Sequence, residues 1–492
     1  MQKLAELDHR YVWHPFTQMK DWLRHEPIII ASGSGAVLRD TKGREYLDAN
    51  SSIWTNLHGH NHAKLNSAIS RQLRKISHSS ALGLANEPAS LLARELVRLA
   101  NTKQSERAIL SAPRTPSNPQ RRGEDTAPHL AKAFFSDDGS TAMEVALKLA
   151  YEFTRRSGRS KTPRFLSLDG AYHGDTVGAV SLGQIDLFHK SYSGLLFKTD
   201  KVPAPYCYRC PFNRAKPERR DAREYVQCKR ECVSLVEQKF AVQRKQGNPY
   251  AAFVIEPLMQ GAAGMIAQPE GYLRDVSNVV RNDDAVLIAD EVMTGFGRTG
   301  TLFACQKEGV QPDLMALAKG MTGGYLPMAA TLAVQRVFDA FLGEYNEFKT
   351  FFHGHSFTGN QLGAAASLAS LGMLQTKQSV AARAHLELLL RDSLQPLWTL
   401  PNVGDIRQVG LIAGVELVKD WPTKQPFHLR ERAGIRVCEA MAKHGVLTRP
   451  IGNVMVIMPP YCTTATQVRR MVRVLHESIE ETFPNNSRIA SG

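Results

Sequence analysis

The stretch that most constrains this chain runs from Ala285 to Leu326. It opens on the apolar run Val286 to Ala289, which predicts a buried strand delivering Asp290 and Glu291 at its carboxyl end. That edge is where open α/β sheets place their ligands. Lys319 follows Asp290 by 29 positions, at the end of a second apolar segment, Leu314 to Ala318, and leads straight into Gly320 and the glycines of Met321 to Gly324. Backbone of that kind can approach a ligand closely.

A carboxylate and a lysine delivered this way suit pyridoxal phosphate, which takes a lysine for attachment and a carboxylate against its pyridinium nitrogen. An isolated Asp and Lys are equally a turn and a surface charge, so further matches are required. They come in chain order. Phe134 to Ser136 predicts a strand, and Ala142 to Tyr151 a helix, with Gly139, Ser140 and Thr141 at its N-terminus, where free N–H groups and the helix dipole favour a phosphate. The strand Phe165 to Leu168 precedes Gly170 to Thr176, a glycine-rich turn that offers Tyr172 for stacking on a pyridine face. Phe253 to Glu256 predicts a strand ending in a carboxylate, and Thr350 to Gln361 a loop rich in hydroxyls and amides.

In that order the pieces resemble a class III, fold type I pyridoxal-phosphate aminotransferase, from Trp13 to about Phe483. Trp13 to Met19, Ser51 to Trp54 with His58-Gly59-His60, Tyr172 to Thr176, Arg449-Pro450 and Met458 to Tyr461 resemble the biotin-pathway branch, which aminates 8-amino-7-oxononanoate. The resemblance implies an α/β fold with a mostly parallel, helix-covered sheet and a smaller α+β domain. It also implies a homodimer, pyridoxal phosphate as cofactor and no metal. Lys319 and Asp290 would be the catalytic pair. Gly139, Ser140 and Tyr172 would bind the cofactor, with His355 and Ser356, the serine reaching in from the partner subunit. Trp54, Tyr172, Lys319, Gly354 and Arg449 would bind substrate, the Arg449 fork pairing the acceptor's carboxylate. The branch divides over its amino donor, S-adenosylmethionine or lysine. Ile53-Trp54 stands where adenosylmethionine users carry paired tryptophans, and residues 174–183 and 349–361 also resemble lysine users. Lysine is therefore the expected donor. A different class III ω-amino acid aminotransferase, using pyruvate or 2-oxoglutarate, is the rival reading. A non-catalytic binding protein would have lost part of the cofactor set, which is present.

At 492 residues the chain exceeds one core's usual size. The expected division is an N-terminal arm with part of the small domain over 1–75, a large domain over 76–339, a small domain over 340–483 and a tail from 484. The net charge of +14 is spread along the chain, which argues against nucleic acid as a partner. No run approaches a membrane span and the N-terminus lacks an apolar signal core, so a cytoplasmic enzyme is expected. Residues 103–131, rich in Pro, Ser and Arg, are expected to be a disordered insertion. Cys207, Cys210, Cys228 and Cys232 have spacings able to hold zinc, and free thiols are the preferred alternative.

Overall fold

The computed structural model describes residues 2–102, 129–183 and 185–484. The expected insertion and tail lie outside these, apart from residues 129–131 and 484. A central seven-stranded sheet runs in the order Leu130–Ser136, Ala329–Val334, Leu314–Leu317, Val286–Asp290, Tyr250–Ile255, Arg164–Leu168, Asp200–Val202. Ala329–Val334 is antiparallel to both neighbours, and the remaining pairs are parallel. Tyr250–Ile255, Val286–Asp290 and Leu314–Leu317 are buried at every position, because helices cover both faces. This explains why they read as apolar runs and not as alternations.

Register then sets the chemistry. Asp290 lies opposite Ala316, so Lys319 emerges three positions beyond that partner at the same sheet edge. The helix Gly139–Arg156 packs on the sheet through Ala142, Val145, Ala146 and Leu149. Its first turn is closed by Asp138 and Thr141, each side chain bonding the other's backbone N–H.

A second apolar core joins Leu386, Leu390, Val415, Met455, Val468 and Leu475. It lies between antiparallel strands that include Val403–Val409, Ile412–Asp420 and Val454–Ile457 and the helices Lys377–Leu394, Ala433–Lys443 and Ala465–Thr482. The N-terminal hairpin belongs with it, since Glu45–Asp48 pairs in parallel with Val446–Leu447. The helix Gln361–Leu374 instead buries Ala364, Leu371 and Leu374 in the core of the central sheet.

One local structure was not foreseen. Ser51, Ser52, Ile53 and Trp54, which precede the helix Ala63–Lys75, have φ of 47°, 47°, 61° and 69° and form a left-handed turn. Each such L-residue costs roughly 1–2 kcal/mol, and the β-branched Ile53 is the least suited of the four.

Candidate active site

A cavity of about 390 Å³ opens at the carboxyl edge of the central sheet, and Trp54, Gly139, Ser140, Tyr172, Asp290 and Lys319 line it. Lys319 itself has φ 42° and starts the tight turn Lys319–Thr322. The glycines that follow are required by contact. A Cβ on Gly320 would stand 2.9 Å from Leu57 Cδ1, and one on Gly324 2.7 Å from the backbone of Asn56. Lys319 Nζ lies 5.1 Å from the Trp54 ring centroid. Burial lowers the proton affinity of Lys319, against the opposing pull of Asp290 and Glu256.

Asp290 is 5% exposed and accepts hydrogen bonds from His173 Nδ1 at 2.7 Å and from the Val292 N–H at 3.1 Å. With the proton on Nδ1, His173 Nε2 is left buried and without a partner. Glu256 closes the floor, accepting from the N–H groups of Gly261 at 2.8 Å and Tyr172 at 3.3 Å. Burial pushes its carboxyl up to about 7, with Asp290 adding to the rise and His173 opposing it. Tyr172 donates its hydroxyl to Asp175 at 2.7 Å, and burial, then that bond, raises its proton affinity.

One end of the cavity is built from backbone. Asp138 and Thr141 satisfy each other, and Gly139 and Ser140 line the cavity at the helix N-terminus with their N–H groups at its positive pole. Neither glycine here tolerates a side chain: a Cβ on Gly139 would stand 2.7 Å from Val292 Cγ1, and one on Gly174, at φ 117°, would collide with Ser140. The indole N–H of Trp54, which also lines the cavity, is buried and unpartnered. This set fits pyridoxal phosphate: N–H groups for the phosphate, an anion for the ring nitrogen, an aromatic face and an amine.

Other expected residues lie elsewhere. His355 stands 3.9 Å from Asp137, at the cavity's edge. The Ser356 carbonyl accepts from His78 Nε2 at 2.9 Å, a Cβ on Gly354 would meet nothing within 4 Å, and neither residue lines the cavity. Arg449 is exposed and donates to the Phe16 carbonyl at 2.8 Å, tying down the N-terminal segment. Cys207, Cys210, Cys228 and Cys232 are free, and among the described residues no group of three or more His, Cys, Asp or Glu is arranged to hold a metal. Their segment docks on the smaller core instead, through Arg209 to Glu416 at 2.6 Å and Arg223 to the Gln408 carbonyl at 2.8 Å. His173 and Glu256 were absent from the expected site. The signal for both was a polar residue at the end of a strand or in the turn after one.

A lysine and a carboxylate sharing one cavity with the N–H groups of a helix N-terminus fit a pyridoxal-phosphate transferase. A model of the class-III aminotransferases matches residues 19–479. The adenosylmethionine-8-amino-7-oxononanoate aminotransferase of Geobacter sulfurreducens is 47% identical over 478 residues, covering 97% of each chain. A solved structure of the Methanocaldococcus jannaschii protein of the same name superposes with TM-score 0.84 at 37% identity, over 98% of this chain and 99% of that one. The omega transaminase of Pseudomonas jessenii in complex with PMP also has TM-score 0.84, at 28% identity, over 97% of this chain and 98% of its own. The chain belongs to the class-III aminotransferases, and its cofactor is pyridoxal phosphate.

Proposed function

We propose that the protein passes an amino group to 8-amino-7-oxononanoate, the acceptor carried in its relatives' names, with lysine as donor, and that it works as a cytoplasmic homodimer. The observation that carries the reading is the Lys319 amine sharing a cavity with Asp290, Glu256 and the Trp54 indole. Bound pyridoxal phosphate supplies an electron sink and a carrier for the amino group. Asp290 holds a proton on its ring nitrogen, Gly139 and Ser140 hold its phosphate through N–H groups, and Tyr172 covers its ring. Lys319 carries the cofactor, and its Nζ, when free, moves the proton at the substrate carbon that exchanges nitrogen. The lowered proton affinity of Lys319 suits it to accept that proton. Arg449 is assigned to the acceptor's carboxylate; in the structure its guanidinium donates to the Phe16 carbonyl.

The reading is tested by supplying the holoenzyme with 8-amino-7-oxononanoate and either donor. Formation of the diamine is the expected result. No turnover with either donor, together with turnover of an ω-amino acid and pyruvate, would move the protein to the rival reading.

For the donor, the relatives' names carry adenosylmethionine, and the feature that favours lysine is Ile53, 47% exposed beside Trp54. Ile53 offers an adenine or sulfonium no π-face, a contact otherwise worth roughly 0.5–2 kcal/mol, or about threefold to thirtyfold in binding. Single-turnover conversion of the holoenzyme should be faster with lysine than with adenosylmethionine at equal, low concentration. The reverse order overturns the donor and leaves the acceptor standing.

Support for the dimer comes from the loop that holds Ser356. Phe357 is 57% exposed there, and Phe348 and Phe352, 66% and 75% exposed, line a groove of about 660 Å³ with Phe165, Phe197, Phe341 and Phe351. An apolar surface of this kind marks an interface. Sedimentation should give a dimer, and Ser356→Ala should weaken cofactor retention about tenfold, the worth of one charge-assisted hydrogen bond. A fully active monomer would sink this part of the reading.

A further inference from the structure

The left-handed turn raises the question of what holds it, because consecutive L-residues at positive φ persist only where surrounding groups over-determine them. The bonds converge on Asp48, the last residue of the strand Glu45–Asp48 and only 2% exposed. Its Oδ1 accepts from the N–H groups of Asn50 at 3.3 Å and Ser52 at 3.0 Å. Its Oδ2 accepts from the Ser52 hydroxyl at 2.8 Å and from His60 Nε2 at 3.0 Å. Asn56 Nδ2 donates to His60 Nδ1 at 3.0 Å, which assigns the ring proton to Nε2 and aims it at Asp48. Burial would raise the proton affinity of Asp48, but the His60 and Ser52 donors outweigh it and hold the carboxyl below its ordinary value. The turn ends on Trp54, which lines the cavity with its indole over Lys319, while Asp48 does not line it.

We propose that Asp48 is a positioning residue for the active site: by accepting four hydrogen bonds it holds the left-handed turn that sets Trp54 over Lys319. This rests on the reading of Trp54 and Lys319 as parts of the reaction site. The carboxylate is required because every group facing it is a donor. Asparagine has the same shape but would point an NH₂ at one of those donors and leave a clash of hydrogens in a buried place. Short side chains such as Ser52 complete the net, whereas Ile53 contributes only strain.

The test is a double-mutant cycle on the holoenzyme with Asp48→Asn, Trp54→Ala and the pair. The first readout is the pH midpoint of the cofactor's visible band, which needs no acceptor. The indole face favours the protonated nitrogen, so each single variant should lower the midpoint, by about 0.5 to 1 unit, with Asp290 and Glu256 still facing the site. The second is kcat/KM, expected to fall about tenfold in each single variant, with the pair no more than about threefold below Trp54→Ala alone. An unmoved midpoint in Asp48→Asn, or losses that multiply in the pair, would overturn the proposal. Should Asp48→Asn fail to fold, Ser52→Ala, which removes one of the four bonds, goes into the same cycle with a smaller shift in the same direction. If 8-amino-7-oxononanoate proves not to be the acceptor, the midpoint test still stands.

Discussion

Replacing Lys319 with alanine is expected to lower transamination by about 10,000-fold or more while leaving the fold in place. Two functions go at once, the anchoring of the cofactor and the movement of a proton, and the proton transfer alone is worth about 100- to 10,000-fold. Stability should hold or rise. The amine sits where burial disfavours its charge more than Asp290 and Glu256 favour it, so the native state loses little with it, and alanine meets the positive φ at no greater cost than lysine. Steady-state rates and thermal unfolding of the cofactor-free protein measure the two halves separately. Borohydride reduction of the wild type followed by peptide mapping should place the cofactor on Lys319. A label on any other lysine would refute the assignment.

Asp290→Asn should lower kcat by about 100- to 1,000-fold, the usual size for removing one preorganised electrostatic partner from a reacting centre. The amide cannot hold a proton on the ring nitrogen as an anion does. The fold should tolerate it through His173. If the amide oxygen keeps the Val292 N–H, its NH₂ faces His173 Nδ1, and the imidazole, whose Nε2 is unpartnered, moves its own proton there. The unfolding temperature should therefore change little while kcat collapses. A loss below about tenfold would show that Asp290 is not the partner of the reacting ring.

The placement of Lys319 and Asp290 was legible in the sequence because fully buried parallel strands write themselves as unbroken apolar runs. The first charge after such a run has to sit at the sheet edge. The glycines after Lys319 were legible for a related reason, since only glycine fits where the turn presses on Asn56 and Leu57. The hairpin at Val37–Asp40 and Glu45–Asp48 follows from local chemistry, two short apolar stretches around Thr41-Lys42-Gly43-Arg44, whereas the helix predicted from Ala142 begins at Gly139, capped by Asp138.

Tertiary structure decided what no local pattern carries. His173 and Asp290 are 117 positions apart, and only the order of strands in the sheet brings them to 2.7 Å. Glu256 becomes an acid with a value of about 7 because neighbouring elements bury it, not because of the residues beside it in the chain. The left-handed turn is the sharpest case. Nothing in Ser-Ser-Ile-Trp favours positive φ, and the propensity of Ile53 opposes it. The turn exists because a buried carboxylate at Asp48, a histidine at position 60 and the Met458 carbonyl, which accepts from the Ser51 hydroxyl at 2.6 Å, together outweigh local preference. Apolar runs and glycines thus determined which residues reach the sheet edge, while burial and long-range hydrogen bonds determined their protonation and aim.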